Sequence, residues 1–124
     1  MAVASQYLEL SNAHELREML AMFSDHVSLY GADGIEAAGA AQRAFYDRHG
    51  PSLRYEPGEL RELRQACGGR AAVVEFPFVR LWEEAGASRR WDSREHGLVE
   101  RIHVAVDSGL IVRIEVVTTG SAVE

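Results

Sequence analysis

The fold is decided by the C-terminal stretch LVERIHVAVDSGLIVRIEVVT, residues 98–118. Apolar and polar side chains alternate on both sides of Asp107-Ser-Gly109, a sequence that favours a tight turn. The pattern therefore predicts an antiparallel hairpin, with strands near residues 88–106 and 110–118. The more apolar face of this hairpin carries Ile102, Val104, Ile114 and Val116.

The period of two continues toward the N-terminus as far as Leu53 and predicts two more strands, near residues 53–67 and 70–83. Hairpin turns are predicted at Gly68-Gly69 and at residues 84–87. Proline cannot donate to a sheet ladder, and glycine permits a bulge. We therefore predict a strongly curved antiparallel sheet, with breaks at Pro57-Gly58, Pro77 and Gly97.

The residues before Leu53 are predominantly helical in pattern. Apolar spacing and capping signals predict three helices, near residues 2–10, 13–23 and 36–49. A short strand near residues 27–30 and a turn at Gly31-Ala-Asp-Gly34 separate the last two helices. Helices followed by a curved sheet predict an α+β domain shaped like a cone, in which the helices fill the concave side and leave a small-molecule pocket.

The composition is that of one compact domain spanning residues 1–124. The chain is 47% hydrophobic and 26% charged, and its length suits one core rather than two. Its net charge of -6 disfavours nucleic acid as a partner. Cys67 has no second cysteine to pair with, and no stretch has the pattern of a leader or membrane span. A cytoplasmic protein that does not bind membranes is expected.

Three segments resemble a known family. Tyr7-Leu-Glu-Leu-Ser-Asn-Ala-His-Glu-Leu16, followed by Met22-Phe23-Ser24-Asp25, resembles the opening of nuclear transport factor 2-like proteins, particularly SnoaL-like cyclases and ketosteroid isomerases. Gly39-Ala-Ala-Gln-Arg-Ala-Phe-Tyr46 is similar to their third helix, and residues 104–115 are similar to their last two strands. The resemblance covers nearly the whole chain and implies their cystatin-like cone.

The resemblance also implies roles for individual positions. Tyr7 falls where the isomerases place an oxyanion-hole tyrosine, and Tyr46 falls where a supporting tyrosine lies. The isomerase general base corresponds to Gly31, with Asp33 two residues away, and the second oxyanion donor corresponds to Ile102. Because the two carboxyl groups of the isomerases are replaced, the resemblance does not extend to steroid isomerisation.

Alternation along the third strand places Glu100 and His96 on the same inner face as Ile102. A carboxylate in an apolar cone has a raised pKa, and an imidazole offers a proton near neutral pH, so this pair suits general acid/base catalysis. The alternative is that both lie on a solvated strand end, and a bulge at Gly97 would turn His96 outward.

Tyrosines are the other candidates for binding a substrate oxygen, because their rings are apolar and their hydroxyls polar. Tyr7, Tyr30 and Tyr46 are predicted in the pocket, with ordinary core packing as the alternative. Asp33 is either a displaced base or the residue of an Asx turn, and Trp82 is either a pocket rim or an interface residue. The remaining predicted pocket lining is Ile102, Val104, Ile114 and Val116.

No metal ligand set or cofactor motif is recognisable, because the five histidines are scattered and no phosphate-binding glycine loop is present. The sequence therefore predicts a cofactor-independent enzyme acting by proton transfer on an apolar, oxygen-bearing small molecule. The alternatives are a non-catalytic ligand-binding domain and a dimerisation module of the same fold.

A homodimer is predicted from the outward face of the sheet. This face carries a mixed apolar and charged stripe, formed by Val99, Arg101, His103, Arg113, Glu115 and Val117. In a two-fold interface Arg101 or Arg113 of one copy can pair with Glu115 of the other. The alternative is pairing within one chain. The pattern leaves open which face Glu75 occupies.

Overall fold

The computed structural model describes residues 2–63 and 70–123, which form an α+β domain. Its helices are α1 (Ala2–Asn12), α2 (Leu16–Ala21) and α3 (Ile35–His49). Its strands are β1 (Phe23–Leu29), β2 (Ala32–Asp33), β3 (Arg54–Pro57), β4 (Arg61–Leu63), β5 (Ala71–Phe76), β6 (Phe78–Glu84), β7 (Ala87–Asp92), β8 (Leu98–Ala105) and β9 (Ile111–Thr118). A 3₁₀ helix, Ser93–His96, connects β7 to β8.

All three predicted helices are present. The second is shorter than expected, because Phe23 already begins β1. The strand predicted near residues 27–30 therefore starts four residues early, and the chain forms its turn through Tyr30 and Gly31.

The strands form two sheets, a six-stranded one in the order β2-β1-β9-β8-β5-β4 and a three-stranded one in the order β3-β6-β7. β1 runs parallel to β9, whereas the other paired strands are antiparallel, so the large sheet is mixed rather than wholly antiparallel. Side-chain alternation within one strand does not reveal the direction of its neighbour, which is why the sequence pattern missed this pairing.

Each long strand predicted from the sequence is divided at the expected break. Pro57-Gly58 separates β3 from β4, Pro77 separates β5 from β6, and Gly97, with φ +66°, follows the 3₁₀ helix before β8. At all three breaks the chain passes from one sheet to the other, which produces the curvature. The predicted turn at Gly68-Gly69, the end of the first predicted strand and Cys67 lie outside the described residues.

The helices pack against the inner face of the large sheet. Ile102 and Ile114 are fully buried there, together with Ala4 of α1 and Met19 of α2. The Asn12 side chain joins α1 to β3, because its amide donates to the Tyr55 carbonyl at 2.8 Å and its oxygen accepts the Tyr55 N–H at 2.6 Å. This connection positions β3 beside the site described below.

The outer face of the large sheet is covered in part by the C-terminal segment. Arg101 is 3% exposed, and its guanidinium donates to Glu75 at 3.0 Å and to the carbonyl oxygens of Ser121 and Ala122 at 2.6 and 3.1 Å. Glu75 also accepts a hydrogen bond from the guanidinium of Arg61 at 2.6 Å. This glutamate therefore faces outward. The question that the sequence left open is thereby answered.

The charges expected to pair between two copies are largely paired within one chain. His103 contacts Glu115 at 2.5 Å, and Val99, Arg101 and His103 are buried in the monomer, whereas Arg113 remains exposed. The expectation that Arg101 meets Glu115 of a second copy is therefore wrong, because Arg101 already binds Glu75 and the C-terminal carbonyls. A homodimer through this face stays a prediction.

Candidate active site

The central group of the site is the carboxyl of Glu100, on the inner face of β8. It lies opposite Phe76 of β5 and Val116 of β9, and only 2% of the residue is exposed. Burial raises the pKa of this carboxyl to about 7, although a hydrogen bond from Tyr30 and the charge of Arg80 act in the opposite direction. Glu100 can therefore gain or lose a proton near neutral pH.

The hydroxyl of Tyr30 donates a hydrogen bond to Oε1 of Glu100. Tyr30 follows β1 with φ +48°, which bulky residues rarely adopt, and its N–H donates to the Ile114 carbonyl at 2.9 Å. The residue is 46% exposed, yet its hydroxyl reaches the buried carboxyl. Burial of the hydroxyl and the adjacent Glu100 raise the pKa of Tyr30 well above its usual value. The phenol therefore stays protonated and links Glu100 to the space in front of the sheet.

Two more phenols face Glu100, those of Tyr7 on α1 and Tyr55 on β3. Burial and the charge of Glu100 raise the pKa of both hydroxyls, and the charge of Arg80 and its hydrogen bond to Tyr55 partly offset the rise at Tyr55. A space of about 10 Å³ adjoins the carboxyl, enough for one water molecule. Its walls are Tyr7, Leu8, Ser11, Tyr30, Gln42, Tyr55 and Glu100.

A larger cavity of about 310 Å³, here called the inner cavity, lies between α3 and the two sheets. Tyr30, Gln42 and Tyr55 line both this cavity and the small space beside Glu100, so Glu100 lies directly behind the cavity wall. The volume is at the lower end of the range for small-molecule pockets. The other lining residues are Leu29, Ala32, Ala41, Phe45, Arg80 and Val116.

The cationic residue of this lining is Arg80, on β6. Its guanidinium carbon lies 5.0 Å from the Phe45 ring centroid and 5.1 Å from that of Trp91, with Tyr55 and Phe78 within 5.9 Å. Ring faces attract a cation at such distances. The guanidinium also hydrogen-bonds the Tyr55 hydroxyl, but its Nε is buried without a partner.

The structure places four of the predicted residues around these spaces. Glu100 and Tyr7 line the small space, Val116 lines the inner cavity, and Tyr30 lines both. The neighbouring inner positions are more deeply buried than predicted: Ile102 and Ile114 have no exposed surface and belong to the core, and Val104 packs against the same core.

Four predicted site residues lie elsewhere. His96 is exposed in the 3₁₀ helix and stacks on Trp91 at 4.7 Å, because the left-handed turn at Gly97 ends the alternation that should have turned it inward. Asp33 is exposed on β2, opposite Ser28. The Tyr46 hydroxyl donates to the Ser11 carbonyl at 2.9 Å, which is a packing role. Trp82 lines a separate surface depression and meets His49 edge to face.

Sequence reasoning missed Arg80, Tyr55, Gln42 and Phe45. A signal was present for Arg80, because it is a lone charge within the apolar run Phe78-Val-Arg-Leu-Trp82 and shares a face with Phe78. Gln42 similarly follows the buried Ala38 by four residues on α3 and is only 5% exposed.

Residues 2–63 and 70–123 contain no group of three or more His, Cys, Asp and Glu side chains arranged to hold a metal ion. Within the same ranges, no helix is both long enough and apolar enough to cross a membrane.

Comparison with known proteins identifies the fold. No family model and no curated protein matches the chain. Among solved structures, Aln2 from a Streptomyces species superimposes with a TM-score of 0.72 at 15% identity, covering 94% of this chain and 86% of that one. An NTF2-like protein from an Exiguobacterium species gives a TM-score of 0.70 at 16% identity, covering 96% and 99%.

A third match is SalBIII, described as an epoxide hydrolase/cyclase-like enzyme in pyran ring formation of salinomycin. It gives a TM-score of 0.69 at 13% identity, and the match covers 93% of this chain and 86% of SalBIII. Proteins assigned as polyketide cyclases and a cystatin-fold protein also match. These likenesses confirm the fold that the resemblance implied: the chain has the NTF2-like, cystatin-like α+β fold.

Proposed function

We propose that this chain is a cofactor-independent enzyme that transfers a proton on an apolar, oxygen-bearing small molecule bound in the inner cavity. The observation that carries the proposal is the placement of Glu100: a fully buried carboxyl whose pKa is raised to about 7 and whose proton-transfer partner, Tyr30, lines the cavity. Proton-transfer groups are most effective when their pKa lies near the working pH.

The Tyr30 hydroxyl lies between Glu100 and the cavity, so the proton moves through it. In the first step a C–H bond next to a substrate carbonyl breaks, its proton passes to the Tyr30 oxygen, and the Tyr30 proton passes to ionised Glu100. The electron pair of the broken bond moves to the carbonyl oxygen and forms an enolate. Because the pKa of Tyr30 is raised, the two transfers are concerted and no phenolate accumulates. Return of the proton to another carbon completes an isomerisation.

The fold relatives support a small-molecule substrate in a general way. SalBIII and the polyketide cyclases are named as enzymes of small molecules, and a match from Catenulispora acidiphila was solved in complex with S-DNPA. Those activities and that ligand belong to the relatives. They are consistent with the use of the inner cavity here.

The test is proton exchange with solvent. Bicyclic and tricyclic ketones are incubated with the protein in D₂O, and deuterium at the carbon next to the carbonyl is followed by mass spectrometry. Replacement of Glu100 by Gln should lower the exchange rate by about 100-fold or more, since it removes a general acid/base. Glu75→Gln is the matched control, a buried glutamate on the outer face that should leave exchange unchanged. Equal rates in folded Glu100→Gln and wild type would reject the proposal.

A second candidate, a non-catalytic ligand-binding domain, is favoured by one observation. Glu100 does not itself line the inner cavity, and one of its oxygens already accepts the Tyr30 hydroxyl. This candidate predicts that ketones bind in the cavity without any deuterium exchange above the rate in buffer. A dimerisation role would instead leave the inner cavity without ligands and would require a stable dimer.

A further inference from the structure

Arg80 carries a positive charge to the wall of the inner cavity, where its side chain is half-buried. Among the residues that the structure describes, no carboxylate lies within salt-bridge distance of its guanidinium. The neighbouring rings of Phe45, Tyr55, Phe78 and Trp91 stabilise the charge but leave Nε without an acceptor. Buried polar atoms such as this Nε normally have a hydrogen-bond partner. The contrast with Arg101, which has Glu75 and two carbonyl oxygens as partners, shows that the fold pairs a buried arginine elsewhere.

The surroundings of Arg80 are otherwise suited to an organic ligand. Leu29, Ala41, Phe45 and Val116 provide apolar walls on several sides of the inner cavity. Gln42, a polar residue that is only 5% exposed, also lines the cavity. A guanidinium without a carboxylate partner therefore lines a largely apolar space of about 310 Å³, with the Gln42 side chain beside it.

We propose that the inner cavity selects small apolar molecules that carry an oxyanion, such as a carboxylate or an acidic enol, and that Arg80 is the residue that binds the oxyanion. Guanidinium groups bind carboxylates through charge-assisted hydrogen bonds, which are stronger than those between neutral groups. With an overall charge of -6, the protein repels anions at long range, so selection of an anion requires a local cation of this kind.

The inference names the substrate class of the proposed active site and rests on the proposed function only in assigning the inner cavity to the substrate. Proton transfer depends on Glu100 and Tyr30, whereas anion selection depends on Arg80. Although the charge of Arg80 also lowers the pKa of Glu100, the Glu100→Gln exchange test leaves Arg80 in place, so the two can fail separately. If exchange fails in the Glu100→Gln test while anion selection holds, the protein is a binding domain for apolar anions.

The experiment compares two probes of nearly the same shape, naphthoate and naphthamide substituted at the same ring position, by isothermal titration calorimetry. Wild type should bind naphthoate at least about tenfold more tightly than naphthamide. Arg80→Met, which keeps the apolar part of the side chain, should abolish this ratio and retain naphthamide binding. Arg80→Lys, which keeps the charge, should retain part of the ratio. Arg89→Met, on the exposed edge of β7, is the control and should behave as wild type.

Equal affinities of wild type for the two probes, or no binding of naphthoate at millimolar concentration, would overturn the proposal. So would an unchanged ratio in folded Arg80→Met, because the anion would then be bound by another group. If Arg80→Met does not fold, the wild-type ratio and the reduced ratio in Arg80→Lys still decide the question.

Discussion

Each face of the large sheet buries one glutamate, and the surroundings of the two carboxyls shift their pKa values in opposite directions. Glu75 on the outer face is 4% exposed and lies between Arg61 and Arg101. Glu100 on the inner face is 2% exposed and receives a hydrogen bond from a phenol instead. Burial pushes the pKa of both carboxyls upward, but the two arginines outweigh burial at Glu75, where the net pKa is lowered.

The comparison shows that burial alone does not make an acid/base group. The outer carboxylate is held in its charged form and ties the C-terminal segment to the sheet through Arg101. The inner carboxyl lacks an ion pair among the described residues and titrates near neutral pH. The interaction partners, and not the degree of burial, therefore separate a glutamate that stays ionised from one that changes its protonation state near neutral pH.

The largest effect on the free energy of unfolding is expected from breaking the ion pair between Glu75 and Arg101 on the outer face. Arg101→Met leaves Glu75 with the exposed Arg61 as partner and removes the donor to two carbonyl oxygens, so we expect the free energy of unfolding to fall by roughly 3–5 kcal/mol. Urea denaturation measures this change. Arg113→Met, on the same face but with its side chain 48% exposed, should change it by less than about 0.5 kcal/mol. Similar losses of stability in both variants would show that the ion pair between Glu75 and Arg101 does not stabilise the fold more than an exposed arginine does.

A somewhat smaller effect should appear in the pH dependence of stability. Unfolded Glu100 loses its proton near pH ~4.3, whereas the folded carboxyl retains it to about pH 7. Between these values the native state binds the extra proton, so stability falls as pH rises, by roughly 3.5 kcal/mol in total. Glu100→Gln should lack this fall. The phenols of Tyr7, Tyr30 and Tyr55, which face Glu100 along with Arg80, titrate above this window.

The measurement is urea denaturation of wild type and Glu100→Gln at several pH values from about 4.5 to 8. The free energy of unfolding of the variant is subtracted from that of wild type at each pH, so that the contributions of other titrating groups cancel. Glu75→Gln sharpens the comparison. Because the pKa of Glu75 is lowered, its contribution is present above the unfolded pKa and is lost as pH falls. The Glu100 difference should therefore change between about pH 4.5 and 7, whereas the Glu75 difference should stay flat over that range, because its pH dependence lies below about pH 4.5. A Glu75 difference that changes between about pH 4.5 and 7 as the Glu100 difference does would mean that the two faces do not differ electrostatically.

The smallest effect concerns the phenol that touches Glu100. Tyr30→Phe removes a hydrogen bond that lowers the pKa of the carboxyl, so this pKa should rise above 7 by about one unit. Carbon-detected NMR of the Glu100 carboxyl during a pH titration measures the shift. Tyr46→Phe, at a half-buried phenol that donates to the Ser11 carbonyl, should leave the pKa of Glu100 unchanged. A lower pKa in Tyr30→Phe would contradict the arrangement.

Much of the fold was predictable because it rests on local rules. The period of two identified the strands, and the prolines at 57 and 77 marked two of the places where the chain changes sheet, with Gly97 marking the third. The inward position of Glu100 followed from the same alternation. The parallel partner of β1 was not predictable, since strand direction depends on the path of the whole chain.

The candidate site was predicted less completely, for a related reason. His96 was assigned inward by counting across Gly97, where the left-handed turn invalidates the count. Tyr46 and Tyr55 look alike in sequence, but only Tyr55 lies beside Arg80 and Glu100, and its place depends on a pairing between β3 and β6 that no local pattern specifies. Side chains that converge from different elements are visible only in three dimensions.

The parallel pairing of β1 with β9 has a consequence for the order of folding. β1 has two strand neighbours, the two-residue β2 and the last strand, β9, so it cannot join the large sheet until the C-terminal strand is available. During synthesis the helices and the intervening strands leave the ribosome before β9. The Tyr30 N–H has its acceptor, the Ile114 carbonyl, on that last strand. Closure of this long-range contact is slow, and we expect the Tyr30 phenol to reach its position in one of the final steps of folding.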